Sequence, residues 1–135
     1  MRNLLKGIGQ QMKWSVRDES LHSKMGCELF REMCNEYPEL HNEVKDDVHQ
    51  AAKYMVEMEH KFIDMIFEQG DLENLKSDNL KEFISKRGNE KLKELGYEPT
   101  FEFDDTKASN LDWFYHLTGG TCLLYTSDAA DDGLS

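Results

Sequence analysis

The hexapeptide RDESLH, Arg17 to His22, places a carboxylate, Glu19, and an imidazole, His22, three residues apart in a stretch that otherwise reads as an amphipathic helix. Side chains at that spacing leave a helix from one face. With an advance of about 100° per residue, Leu5, Ile8, Met12, Glu19, His22, Gly26, Leu29 and Met33 fall within a sector of roughly 120°, and the polar pair sits near its centre. Burying an unpaired carboxylate costs several kcal/mol, so an apolar sector that contains one needs a compensating positive charge. A dication held between helices supplies it. A hard oxygen and an imidazole nitrogen then converge on one point, as in bundles that hold two carboxylate-bridged metals. Glu-x-x-His by itself is weakly specific, and a buried Glu19–His22 hydrogen bond or an ion pair to Arg17 satisfies the same residues.

Glu57 and His60 repeat the spacing and act as an internal control. Measured from Met55 they lie roughly 200° and 140° around their helix, with Lys53, Lys61 and Asp64 beside Glu57. That assigns them to a solvated or boundary face. His41, His49 and His116 lack a carboxylate at ligand spacing on an apolar face and read as ordinary polar residues.

The elements that must position these side chains are helices. Only two prolines, Pro38 and Pro99, and few β-branched residues punctuate the chain. A first helix is expected from about Asn3 to Asn35, ended by Tyr37-Pro38, because the residue before proline is pushed out of the helical region. A second is expected from about Asn42 to Gln69, stopped by Gly70, with Val44, Val48, Ala51, Met55, Phe62 and Ile66 as its core stripe. A third runs from about Asp78 to Leu95, stopped by Gly96, with Leu80, Phe83, Ile84, Leu92 and Leu95 facing inward. Gly96 to Lys107 reads as a loop, followed by a short helix from Ser109 to Leu117. The fold class is all-α, an antiparallel bundle of long helices.

With 135 residues the chain holds one domain or part of one. Its formal net charge of -11 has the wrong sign for holding nucleic acid or an anionic membrane by counterion release. No apolar run approaches the roughly 20 residues of a membrane span, and the start lacks a signal-peptide core, so a cytoplasmic protein is expected. Three cysteines are an odd count, and Cys27 and Cys34 lie about 10 Å apart on one helix, too far for a disulfide. Both read as reduced packing residues.

The segment WSVRDESLHSKMGCELF resembles the last metal-ligand helix of the small (beta) subunit of class I ribonucleotide reductase. EMEHKFIDMIFEQGDLENL resembles the helix that follows in that family, LKEFISKRGNEKLKELGY the next, and NLDWFYHLTGGT the segment leading into its C-terminal tail. The likeness covers about Leu5 to Thr121. It implies a ferritin-like bundle that holds two iron ions, or manganese and iron, activates dioxygen and generates a radical. That radical passes to a large (alpha) subunit, which reduces ribonucleotides to deoxyribonucleotides; the complete small subunit is a homodimer. By the same resemblance Glu19 and His22 are ligands of one metal ion. Asp18 matches an aspartate that bonds a tryptophan and relays a proton-coupled electron, and Arg17 is its neighbour; the plain alternative for both is an exposed ion pair. Ser15 stands where many members carry an aliphatic residue, and Gly26 either admits a neighbouring helix or simply packs.

The family's site needs six protein ligands from four helices, and only two are in this chain. The others, with the radical tyrosine, are expected before Met1, which reads as an internal methionine or accidental start. None of Tyr37, Tyr54, Tyr97, Tyr115 or Tyr125 follows a ligand pair. Residues 122–135, CLLYTSDAADDGLS, depart from the family pattern and resemble the translation of a sequencing adapter; residues 1–121 are the family part. The resulting expectation is the C-terminal half of a reductase small subunit, inactive alone. Two other readings stay open: a different ferritin-like two-metal carboxylate oxidase, and a non-catalytic helical interaction module.

Overall fold

A computed structural model of the protein describes residues 6–118. Among them the fold is all-α, as expected for part of a ferritin-like bundle. The helices are α1 (Lys6–Glu36), α2 (Pro38–Glu43), α3 (Lys45–Ile66), α4 (Ser77–Glu94), α5 (Asp105–Ala108) and α6 (Tyr115–Thr118), with a 3-10 segment, Ser109–Phe114, before the last. Leu5 and the tail from Cys122 lie outside the described residues. The described residues divide into two units, Lys24–Asp112 and a second made of residues 6–23 with 113–118.

Proline sets the first break. Tyr37, held before Pro38, leaves the helical region at φ -127°, ψ 80°, and Pro38 opens α2 at a position that needs no amide hydrogen. The expected second helix is therefore two. Val44, at φ -95° and ψ 4°, separates α2 from α3, yet its amide still donates to the Leu40 carbonyl at 3.0 Å. Pro38 thus both stops α1 and starts α2, because its fixed φ suits a first helical position. The end before Gly96 holds, whereas α3 stops at Ile66, ahead of the expected Gln69, and a turn carries the chain to Gly70; Gly70 and Gly96 adopt φ +104° and +87°, where L side chains are strained.

After Gly70, Asp71 closes the connection to α4, its Oδ1 accepting from the Ser77 amide at 2.8 Å. The bond favours the charged form and holds this carboxyl below the ordinary 3.8. Its stabilisation is present above the unfolded pKa and lost as pH falls through the lower folded one. Asp71 is therefore expected to titrate below 3.8 by NMR, with the Ser77 amide losing protection over the same interval.

In the unit Lys24–Asp112, α4 runs antiparallel to α3. Asp64 pairs with Lys81, the His60 ring bonds the Lys81 carbonyl, and Val56 lies against Gly88, so later residues of α4 meet earlier residues of α3. Val56 and Ile63 of α3 are buried there, with Phe83, Ser85, Asn89 and Leu92 of α4. This corrects the expected core stripe of α3. Met55, Phe62 and Ile66 are exposed, because α4 packs on the opposite side of the helix.

Beyond Gly96 the chain doubles back along α4. Asn89 holds it with three hydrogen bonds: Nδ2 donates to the Phe101 carbonyl at 2.7 Å, and Oδ1 accepts from the Thr100 and Phe101 amides, both at 2.9 Å. Glu82 accepts from the Asp104 amide at 2.8 Å. Asp104 then caps α5, accepting from Thr106 and Lys107, so the expected loop already contains a helical turn from Asp105. Tyr97 gathers the other elements. Its hydroxyl donates to the His41 carbonyl at 2.8 Å, and its ring stacks on His41, with centroids 4.2 Å apart, and meets His49 edge-on. His41 and His49 are thus packing residues rather than ordinary polar ones.

Candidate metal centre

Glu19 and His22 lie on the part of α1 that belongs to the second unit. Glu19 Oε2 and His22 Nδ1 are 3.9 Å apart, too long for a hydrogen bond but close enough for one cation to bridge. Their side chains are 78% and 70% exposed. The alternative of a buried Glu19–His22 hydrogen bond is not what this structure contains, nor does Arg17 pair with Glu19 among the described residues. The face that carries the pair is uncovered. Ile8 and Met12 before it, and Leu29 and Met33 further along α1, are all exposed.

Arg17 and Asp18 are exposed as well. Gly26 has open space around the position a Cβ would take, so nothing described here requires its lack of a side chain. The second Glu-x-x-His separates. Glu57 points to solvent, while His60 is half-buried between α3 and α4, its Nε2 3.0 Å from the Lys81 carbonyl and 3.4 Å from Ser85 Oγ. That nitrogen donates to a backbone oxygen and is not available to a metal as placed. Ser85 of α4 is buried beside this ring, a contact between residues 25 positions apart that helical spacing does not reveal.

Cys27 and Cys34 are free and half-buried. Burial pushes the Cys27 thiol up, with a smaller contribution from Glu94 beside it, so it is a packing residue and a poor thiolate donor.

Among the described residues no three His, Cys, Asp or Glu side chains converge as a metal site. Glu19 and His22 fit one edge of a coordination shell by donor type, a carboxylate oxygen and an imidazole nitrogen. A centre of two metals needs further donors.

Long helices, two of them packed antiparallel and a third presenting a carboxylate and an imidazole from an exposed face, are those of part of an all-α, ferritin-like bundle. The family model for the small chain of ribonucleotide reductase matches residues 1–108, and the chain belongs to that family. It is 32% identical over 104 residues to a probable ribonucleoside-diphosphate reductase small subunit of Invertebrate iridescent virus 3, covering 73% of this chain and 27% of that one. It is 27% identical over 126 residues to the corresponding protein of Invertebrate iridescent virus 6, covering 77% and 35%. With the ribonucleoside-diphosphate reductase subunit beta of Chlamydia pneumoniae it shares 25% identity over 101 residues, covering 74% and 29%. The chain spans about a third or less of the length of these relatives. No helix among the described residues is long and apolar enough to cross a membrane.

Proposed function

We propose that these residues are part of the radical-generating small subunit of a ribonucleoside-diphosphate reductase, in which Glu19 and His22 ligate one ion of a two-metal centre. The observation that carries the reading is the placement of this pair on the uncovered apolar face of α1, within the segment that matches the family. The remaining ligands come from sequence outside these 135 residues. Glu19 and His22 would hold one of two metal ions, iron or manganese and iron, and the pair of ions would supply the oxygen chemistry from which the radical arises. Glu19 would contribute negative charge that offsets the dication, and His22 an imidazole nitrogen. Once helices cover the face, water is excluded and the pair is held in a low dielectric, where each charge interaction strengthens. Asp18, with Arg17 beside it, would hold by hydrogen bond the tryptophan of the complete subunit through which a proton-coupled electron passes toward the large subunit. The complete protein works as a homodimer in the cytoplasm.

Two ligands cannot define the centre, so the 135-residue chain is inactive alone, and its open faces favour self-association. The proposal is tested by metal analysis of the complete subunit after loading with ferrous iron or manganese under oxygen. Two ions per chain are expected. A folded complete subunit that takes up neither metal would leave the helical interaction module as the better reading.

A further inference from the structure

The helix α3 has three distinct faces, and only two of them are accounted for. One carries Val56, His60 and Ile63 and packs on α4. A second, with Lys53, Glu57, Lys61 and Asp64, is exposed and charged. The third carries Ala51, Met55, Met58, Phe62 and Met65, at successive spacings of four, three, four and three residues. That is an unbroken 3.5-residue repeat, the pattern of a helix–helix seam with a shallow crossing angle. The seam lies roughly 140° around the helix from the α4 face, at about 100° per residue, so α4 cannot reach it. Met55, Met58, Phe62 and Met65 are 57%, 43%, 52% and 63% exposed, and Tyr54 and Ile66 beside them are exposed too.

We propose that this seam is the docking surface for a helix from the part of the small subunit outside these 135 residues, which makes α3 an interior helix of the complete bundle. This rests on the reading that the chain is part of a longer subunit, and not on its metal chemistry. The relatives provide the length, since the match covers only 27% to 35% of the two viral proteins. Unbranched methionines at three of the five positions adapt to the surface of an incoming helix, and Phe62 between them supplies the largest flat contact. The charged face sets one edge of the contact. A helix lying in the seam leaves Glu57 and Lys61 in water and covers Met58.

The test compares thiol labelling of the complete subunit with that of the 135-residue chain, each carrying Met58→Cys, Met55→Cys or, as a control, Glu57→Cys. Peptide mass spectrometry separates the new thiol from Cys27, Cys34 and Cys122, and a chelator keeps both proteins free of metal, so failure of the metal reading does not move the result. Labelling at positions 58 and 55 should slow at least about tenfold in the complete subunit, while position 57 labels equally in both. Equal labelling of all three positions in the two proteins would overturn the proposal. Both proteins are labelled across a dilution series, and protection of positions 55 and 58 in the complete subunit that disappears on dilution would also overturn the proposal, by identifying a second copy as the occupant.

Discussion

Replacing Glu19 by alanine in the complete subunit is expected to abolish the oxygen-dependent radical signal and to remove at least one bound metal ion per chain, whereas Glu57→Ala leaves both intact. The two glutamates have the same local motif, each three residues before a histidine on a long helix, so the comparison isolates the face from the spacing. Glu19 sits among Ile8, Met12, Leu29 and Met33, a face that becomes interior when covered. Loss of its carboxylate there removes both a ligand and the charge that offsets a buried dication. The effect should exceed the roughly 10–100-fold loss in affinity that follows removal of a group merely orienting a ligand. Glu57 faces solvent, and its partner His60 is committed to the Lys81 carbonyl. His22→Ala should behave like Glu19→Ala. Electron paramagnetic resonance and metal analysis, with circular dichroism to confirm folding, decide the matter. Equal loss from Glu19→Ala and Glu57→Ala would overturn the assignment of the two pairs to different faces.

The helices were legible because their limits depend on local chemistry. Tyr37-Pro38 and Gly96 end helices through backbone sterics that act without tertiary context, and both do so here, while α3 stops at Ile66, ahead of Gly70. The candidate pair was legible for a similar reason, since polar residues inside an apolar sector need a compensating partner whatever covers them. What sequence could not assign was which apolar stripe of α3 meets α4. The helix has two, and periodicity alone does not rank a seam of Met55, Met58 and Phe62 below the sparser Val56 and Ile63. The choice is made by α4, whose Gly88 lets Val56 and Phe101 come close and whose Ser85 and Lys81 carbonyl meet His60. These are contacts across 13 to 32 positions of sequence, invisible to a window of one helix. The role of Asn89 was missed likewise, because an asparagine inside a helix reads only as a weak helix former until the strand of chain it holds is in place.

That asparagine should be the most sensitive position for the stability of the unit Lys24–Asp112. Asn89→Ala is expected to cost roughly 2–4 kcal/mol, since the Phe101 carbonyl and the Thr100 and Phe101 amides all lose their partner at once and each deleted bond is worth about 1 kcal/mol or somewhat more when its group stays buried. Alanine's better helix propensity, less than about 1 kcal/mol, does not offset this. Asn89→Asp should be damaging too: both acceptor bonds survive, but a carboxylate oxygen replaces the amide that donates to the Phe101 carbonyl, setting two acceptors against each other. Gly88→Ala provides the contrast. Its new Cβ would lie 2.9 Å from Phe101 Cε2 and 3.0 Å from Val56 Cγ2, an overpacking worth about 1–3 kcal/mol, against a gain of nearly 1 kcal/mol from removing a mid-helix glycine. The expected order of urea midpoints is wild type, then Gly88→Ala, then Asn89→Ala, with exposed Asn42→Ala indistinguishable from wild type. If Asn89→Ala also matched wild type, the return segment would be held by the packing of Phe101 on Gly88 and not by the asparagine.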